Sequence, residues 1–274
     1  MVAAGRERLG KGPEMSSVED LTVPGRSGPV PVRLLLPVRS PDGVIVFFHG
    51  GGWVVGALDD YDTYTRTLAK RTGLAVLAVD DRLAPENPFP AGLEDCEDAL
   101  KAVLSGEISG LAKGPVVVMG DSAGGNLATV CCARLPDPSR VALQVLYYPV
   151  TDHDFTRGSY AAHEKGLPLT ARDMGWFFTH YAPQQNWPDP AISPMRRADL
   201  SGQPPAIVVT AEYDVLCDEG EAYAVRLAEA GIRVTRRRLA GLTHGLIRLH
   251  SLLDVADAEL STVSQDIRNH LSAA

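Results

Sequence analysis

Short apolar runs alternate along the chain with longer amphipathic stretches. Val44-Ile-Val-Phe-Phe48 is apolar at every position, as expected of a strand covered on both faces. The same reading gives strands at Leu74–Val79, Pro115–Met119, Val141–Tyr148, Ala206–Thr210 and Ile232–Leu239. Helix patterns fall between them, at about Tyr61–Arg71, Ala91–Val103, from the end of the turn Gly120–Gly124 to about Arg134, Glu219–Ala230 and Leu253–Leu271, with Gly73 and Gly231 as stops. Upstream, Glu19–Val23 and Pro31–Leu36 read as an antiparallel pair at a sheet edge. Strands alternating with helices predict an α/β fold, a mostly parallel central sheet with helices on both faces, in one domain spanning residues 1–274. One stretch breaks the alternation. Residues 152–203 show no core strand but carry Trp176, Phe177, Phe178, Tyr181 and Trp187, and an insertion of that length at the functional edge of a sheet predicts a lid or binding element.

Composition narrows the function. A net charge of −8 argues against non-specific nucleic-acid binding, and Arg236-Arg237-Arg238 reads as a solvated rim. Cys96, Cys131, Cys132 and Cys217 form no Cys-x-x-Cys pair, so neither a zinc site nor a shared disulfide is expected. No signal-peptide core and no run of membrane-spanning length are apparent, which leads to the expectation of a cytoplasmic protein with no membrane partner.

The chemistry concentrates at Gly120-Asp121-Ser122-Ala123-Gly124, between a buried strand and a helix. Gly-x-Ser-x-Gly taken alone also fits an N-cap serine. Between strand and helix it suits a nucleophile, because a sharp turn lifts the hydroxyl clear of the sheet and the helix start favours developing negative charge. Directly after the strand Val44–Phe48 comes His49-Gly50-Gly51-Gly52-Trp53. Consecutive glycines suit backbone N–H groups that must approach a ligand unobstructed, so Gly51 and Gly52, with Ala123 after the serine, are the candidate oxyanion donors. His49 precedes these glycines and fits holding their loop in shape better than acting as base. Of the seven histidines, His153, His163 and His180 fall in the insertion and His250 and His270 on or near the last helix, whereas His244 lies in the turn after the last strand, at the edge where Ser122 emerges, and it is the candidate base. The acid follows the strand Ala206–Thr210. Asp214 is chosen, with Glu212 in reserve, while Asp218 and Glu219 suit the next helix's first turn.

With these residues in place the chain resembles the hormone-sensitive-lipase-like esterases of the α/β-hydrolase superfamily. The likeness runs from about residue 43 to 250. It rests on His49-Gly-Gly-Gly-Trp53, Arg82-Leu-Ala-Pro-Glu86 with Phe89-Pro90, Gly120-Asp-Ser-Ala-Gly-Gly-Asn-Leu127, Asp214-Val-Leu-Cys-Asp-Glu219 and His244-Gly245. It implies carboxylic ester hydrolysis by a Ser122–His244–Asp214 triad, and a helical cap drawn from about 1–17 and 152–203. The chain departs from the family pattern at Asp81, where tyrosine is usual, and in the 48 residues before His49, a shorter lead than the family's.

The expected activity is hydrolysis of short- to medium-chain esters without metal or organic cofactor, by a monomer or homodimer. Trp53, Trp176 and Phe177 are the expected pocket residues, crowding out long acyl chains. Amide, lactam or carbamate cleavage by the same triad is the alternative, and a non-catalytic small-molecule receptor on the same fold is a third reading.

Overall fold

The computed structural model describes residues 8–111 and 113–273. Eight strands form one sheet: β1 (Ser17–Val23), β2 (Val30–Leu36), β3 (Val44–Phe48), β4 (Ala75–Val79), β5 (Val116–Asp121), β6 (Leu143–Tyr147), β7 (Ala206–Tyr213) and β8 (Val234–Thr243). Their spatial order is β1-β2-β4-β3-β5-β6-β7-β8. β2 runs antiparallel to both β1 and β4, and every pairing from β4 to β8 is parallel.

The apolar runs sort by the two-residue period of a strand. Val44, Val46 and Phe48 of β3 face one core, with Val116 and Val118 of β5. Ile45 and Phe47 face the other, with Val117 and Met119. The first core is covered by α2 (Ala91–Ser105), α3 (Ala123–Arg134) and α6 (Cys217–Glu229), and the second by α1 (Leu58–Thr72) and α7 (Asp254–Ser272). Gly73, at φ 77°, ends α1 in the left-handed turn its sequence predicts.

Strand ends differ from the sequence expectation where pairing extends them. β7 and β8 continue past a bulge at Ala211/Tyr213, and Tyr213 still pairs with Thr243. The end of β8, Ala240-Gly-Leu-Thr243, carries a glycine and neither an apolar run nor a strict alternation, which hides that extension from a reading based on apolar runs.

Residues 152–203 contain α4 (Gly158–Ala162), α5 (Ala171–Tyr181) and 3₁₀ turns at Gln184–Asn186 and Pro194–Arg196, and no strand. Thr170 and Asp173 close a reciprocal capping box that fixes the start of α5. Of the expected N-terminal cap element, residues 1–7 lie outside the described residues. Gly10 and Gly12 pack on α1, where the Thr63 hydroxyl donates to the Gly10 carbonyl, and none of residues 8–17 lines the cavity in front of Ser122.

Candidate active site

Ser122 sits between β5 and α3 with φ 57° and ψ −120°, a strained backbone for a residue with a Cβ. The surroundings enforce it. Ser122 N–H donates to the Tyr147 carbonyl at 2.8 Å, and the Ser122 carbonyl accepts from Asn126 and Val150 N–H. The flanking glycines are needed for space: a Cβ on Gly124 would stand 2.0 Å from the Phe48 carbonyl oxygen, and one on Gly120 2.3 Å from the Gly124 backbone.

The β7 and β8 extensions bring Asp214 and His244 to the same edge. Asp214 is fully buried. Its Oδ2 lies 2.7 Å from His244 Nδ1, and its Oδ1 accepts from Leu216 N–H at 3.0 Å. His244 Nε2 lies 3.0 Å from Ser122 Oγ. With Nδ1–H donating to Asp214, Nε2 is left to accept from the serine hydroxyl, the proton arrangement general-base activation needs. The Tyr148 ring lies 4.5 Å from the imidazole, centroid to centroid. Glu212, the reserve acid, faces elsewhere and accepts from Gly241 N–H at 2.7 Å.

Gly51 and Gly52 have φ of 127° and 61°, and their N–H groups donate to no acceptor among the described residues. Ala123 N–H opens α3, where a helix has no intrahelical acceptor to offer. A Cβ on Gly51 would meet the Val55 carbonyl oxygen at 1.8 Å, so the loop closes only around glycine. Gly50 N–H is held by Asp121 Oδ1 at 2.8 Å and by the Tyr61 hydroxyl oxygen at 3.0 Å, and Tyr61 O–H donates to Asp121 Oδ2 at 3.1 Å. Asp121 thus anchors the glycine loop to the serine's own turn. Burial pushes its carboxyl above the usual carboxylate range, against the pull of His244 and the Tyr61 hydrogen bond. Sequence reasoning gave Asp121 and Tyr61 no role. An acid inside the Gly-x-Ser-x-Gly turn was the available signal for the first, and nothing local marks the second.

A cavity of about 540 Å³ opens in front of Ser122 and His244. Its walls include Gly51, Gly52, Tyr61, Leu169, Met174, Trp176, Phe177 and Arg248. Trp176 is 48% exposed at the rim, and a Cβ on Gly52 would fall 2.2 Å from the Phe177 ring, so that ring lies directly on the glycine loop. Trp53 does not line the cavity, a correction to the sequence reading. It is buried, stacked on Tyr181 at 4.2 Å and edge-on to Phe178, because its φ of 60° turns the chain back under α5. Asn126 ties this base together, its amide donating to the Val150 and Ile192 carbonyls. Glu219, in the first turn of α6, accepts from Thr151 and Asp152 N–H and from the Tyr160 hydroxyl, bracing the chain where the insertion leaves the sheet.

His49 is buried, with Nδ1 2.8 Å from the Gly50 carbonyl, which places it within the loop's own framework. Its Nε2 lies 3.6 Å from Asp81 Oδ1, and neither atom has a hydrogen-bond partner among the described residues. Burial pushes the Asp81 carboxyl up to about 6, His49 working in the opposite direction. The folded chain therefore keeps a proton on Asp81 that the unfolded chain has already lost between about pH 4 and pH 6, and wild-type stability falls as pH rises through that window. Asp81→Asn removes the titration. Its stability relative to wild type is expected to improve by about 3 kcal/mol between pH 4 and pH 8, read from urea unfolding at the two pH values. A pH-independent difference would show that Asp81 ionises in the folded protein as freely as in the unfolded one.

Sheet order, the Gly-x-Ser-x-Gly turn and the glycine loop together define an α/β hydrolase. The family model described as the α/β-hydrolase fold matches residues 45–248. Carboxylic ester hydrolase LipN of Mycobacterium tuberculosis is 39% identical over 273 residues, spanning 95% of this chain and 73% of that protein. Ethyl acetate hydrolase of Pseudomonas putida is 37% identical over 273 residues, spanning 96% and 86%. Among solved structures, the thermostable carboxylesterase EstE1 from a metagenomic library aligns at TM-score 0.93 and 34% identity, covering 98% of this chain and 95% of that one. The Pyrobaculum calidifontis esterase aligns at TM-score 0.90 and 37% identity, covering 98% and 93%. The chain belongs to the hormone-sensitive-lipase-like carboxylesterase family of α/β hydrolases.

Proposed function

We propose that the protein is a serine carboxylesterase acting on short- to medium-chain esters, with Ser122 as nucleophile, His244 as general base and acid, and Asp214 as the carboxylate that orients the imidazole. The observation that carries this reading is the continuous hydrogen-bonded line from Asp214 through His244 to Ser122 at the wall of a cavity. His244 takes the hydroxyl proton as Ser122 Oγ attacks the ester carbonyl. The carbonyl oxygen gains negative charge within reach of Gly51, Gly52 and Ala123 N–H. The imidazolium then protonates the departing alcohol, leaving an acyl-serine. Water attacks that ester, again giving its proton to His244, and the acid departs with Ser122 regenerated. Neither metal nor organic cofactor enters these steps. The names of the relatives, a carboxylic ester hydrolase and an ethyl acetate hydrolase among them, agree with ester rather than amide substrates.

Treatment with an organophosphonate tests the nucleophile. Mass spectrometry of the digested protein is expected to find the adduct on Ser122, and an adduct confined to another hydroxyl would overturn the assignment. Phe177, packed on the glycine loop, is the proposed limit on acyl length. Phe177→Ala is expected to raise the octanoate-to-acetate ratio of kcat/KM on p-nitrophenyl esters by roughly 10-fold or more, in line with the worth of a methylene in an apolar pocket. An unmoved ratio would assign the limit to another part of the wall.

A further inference from the structure

We propose that Arg248 gives this cavity a preference for esters bearing a carboxylate away from the scissile bond, an inference that rests on the serine esterase reading. Arg248 follows His244 by four residues, in the 3₁₀ turn Leu246–Leu249, and forms part of the same cavity wall as Ser122 and His244. Its guanidinium lies over the Tyr61 ring, 5.5 Å from the centroid. Tyr61 is buried and pinned through its hydroxyl to Asp121 and Gly50, so the platform under the cation is rigid.

Among the described residues no carboxylate lies within ion-pair distance of Arg248. The acids around it are engaged elsewhere. Asp121 holds Gly50 N–H and the Tyr61 hydroxyl, and Asp173 on the opposite wall closes the α5 capping box with Thr170. Burial works against the Arg248 charge, while Tyr61, Asp121 and, less strongly, Asp60 favour it without either carboxylate reaching ion-pair distance. A half-buried guanidinium facing a substrate cavity offers a fork of donors that matches a carboxylate, and a neutral alkyl chain leaves it unanswered. The chain's net charge of −8 repels anions in general, so recognition of one depends on this local cation. The class indicated is a monoanionic ester. Hydrolysis adds water across its acyl–oxygen bond and releases a second carboxylic acid or a hydroxy acid, according to which side carries the charge.

Two substrate pairs test this. Monomethyl adipate against methyl hexanoate places the carboxylate on the acyl side, and 4-(butyryloxy)butanoate against butyl butyrate places it on the alcohol side. In Arg248→Gln the anionic-to-neutral ratio of kcat/KM is expected to fall by about 10- to 100-fold for one pair, carried by KM, the scale of a charge-assisted hydrogen bond. Arg248→Lys should retain part of the ratio. With wild-type protein alone, the same ratio should decline as ionic strength rises. Ratios for both pairs that ignore both the substitution and the salt overturn the preference while leaving the esterase reading intact. Failure of the wild-type protein to hydrolyse either neutral ester overturns the esterase reading, and the preference falls with it.

Discussion

Ser122→Ala is expected to cut kcat on p-nitrophenyl butyrate by about 10⁶-fold, the size of loss seen when a triad serine is removed. The reason is that no other group can replace it in the geometry described. Ser122 Oγ alone is hydrogen-bonded to His244 Nε2, and it alone stands on the turn facing the glycine loop. Alanine keeps the Cβ, so the strained φ of 57° is no worse for it than for serine. Among the described residues the serine side chain makes no hydrogen bond other than this one, so circular dichroism and melting should stay close to wild type. Wild-type-like turnover by the purified variant would remove Ser122 from the mechanism.

Asp214→Asn should lower kcat by roughly 10⁴-fold, with KM less affected. The asparagine oxygen can still accept from Leu216 N–H, as Asp214 Oδ1 does now. Its amide then turns N–H donors toward His244 Nδ1, which favours the tautomer carrying its proton on Nε2. That nitrogen can no longer accept from Ser122, and no buried anion balances the imidazolium that forms during attack. Glu212→Gln is the matched control, because Glu212 serves Gly241 N–H and not the imidazole. A larger loss in Glu212→Gln than in Asp214→Asn would reassign the acid.

The parts of this fold that could be read from sequence are those whose cause is local. Val44–Phe48 is apolar throughout because both faces are covered, and its strand bounds are as expected. The Gly-x-Ser-x-Gly turn and the glycine loop carry their backbone requirements in their residue types, visible now as steric contacts that a Cβ would not survive. Distant pairings were not legible. Asp121 meets Gly50 across 71 positions of sequence and Tyr61 across 60, and Arg248 meets Tyr61 only because the last turn folds over α1. Trp53 shows the limit from the other side. A tryptophan next to a glycine loop suits a pocket wall and a core equally well by composition, and only the positive φ that sends it under Tyr181 decides between them.

The late pairing of Tyr213 with Thr243 has a further consequence. Carboxylate and imidazole ride at the tips of neighbouring strands joined by one ladder almost to their ends, whereas the hydroxyl belongs to β5, two strands from β7 and three from β8. Any flexing or shear of the sheet therefore leaves the first pair in register and is felt mainly in the gap between imidazole and hydroxyl. For anyone transplanting this proposed triad into another scaffold, the two C-terminal strands are one module to be moved whole, and the tolerance to be controlled is the lateral spacing between that module and the strand that carries Ser122.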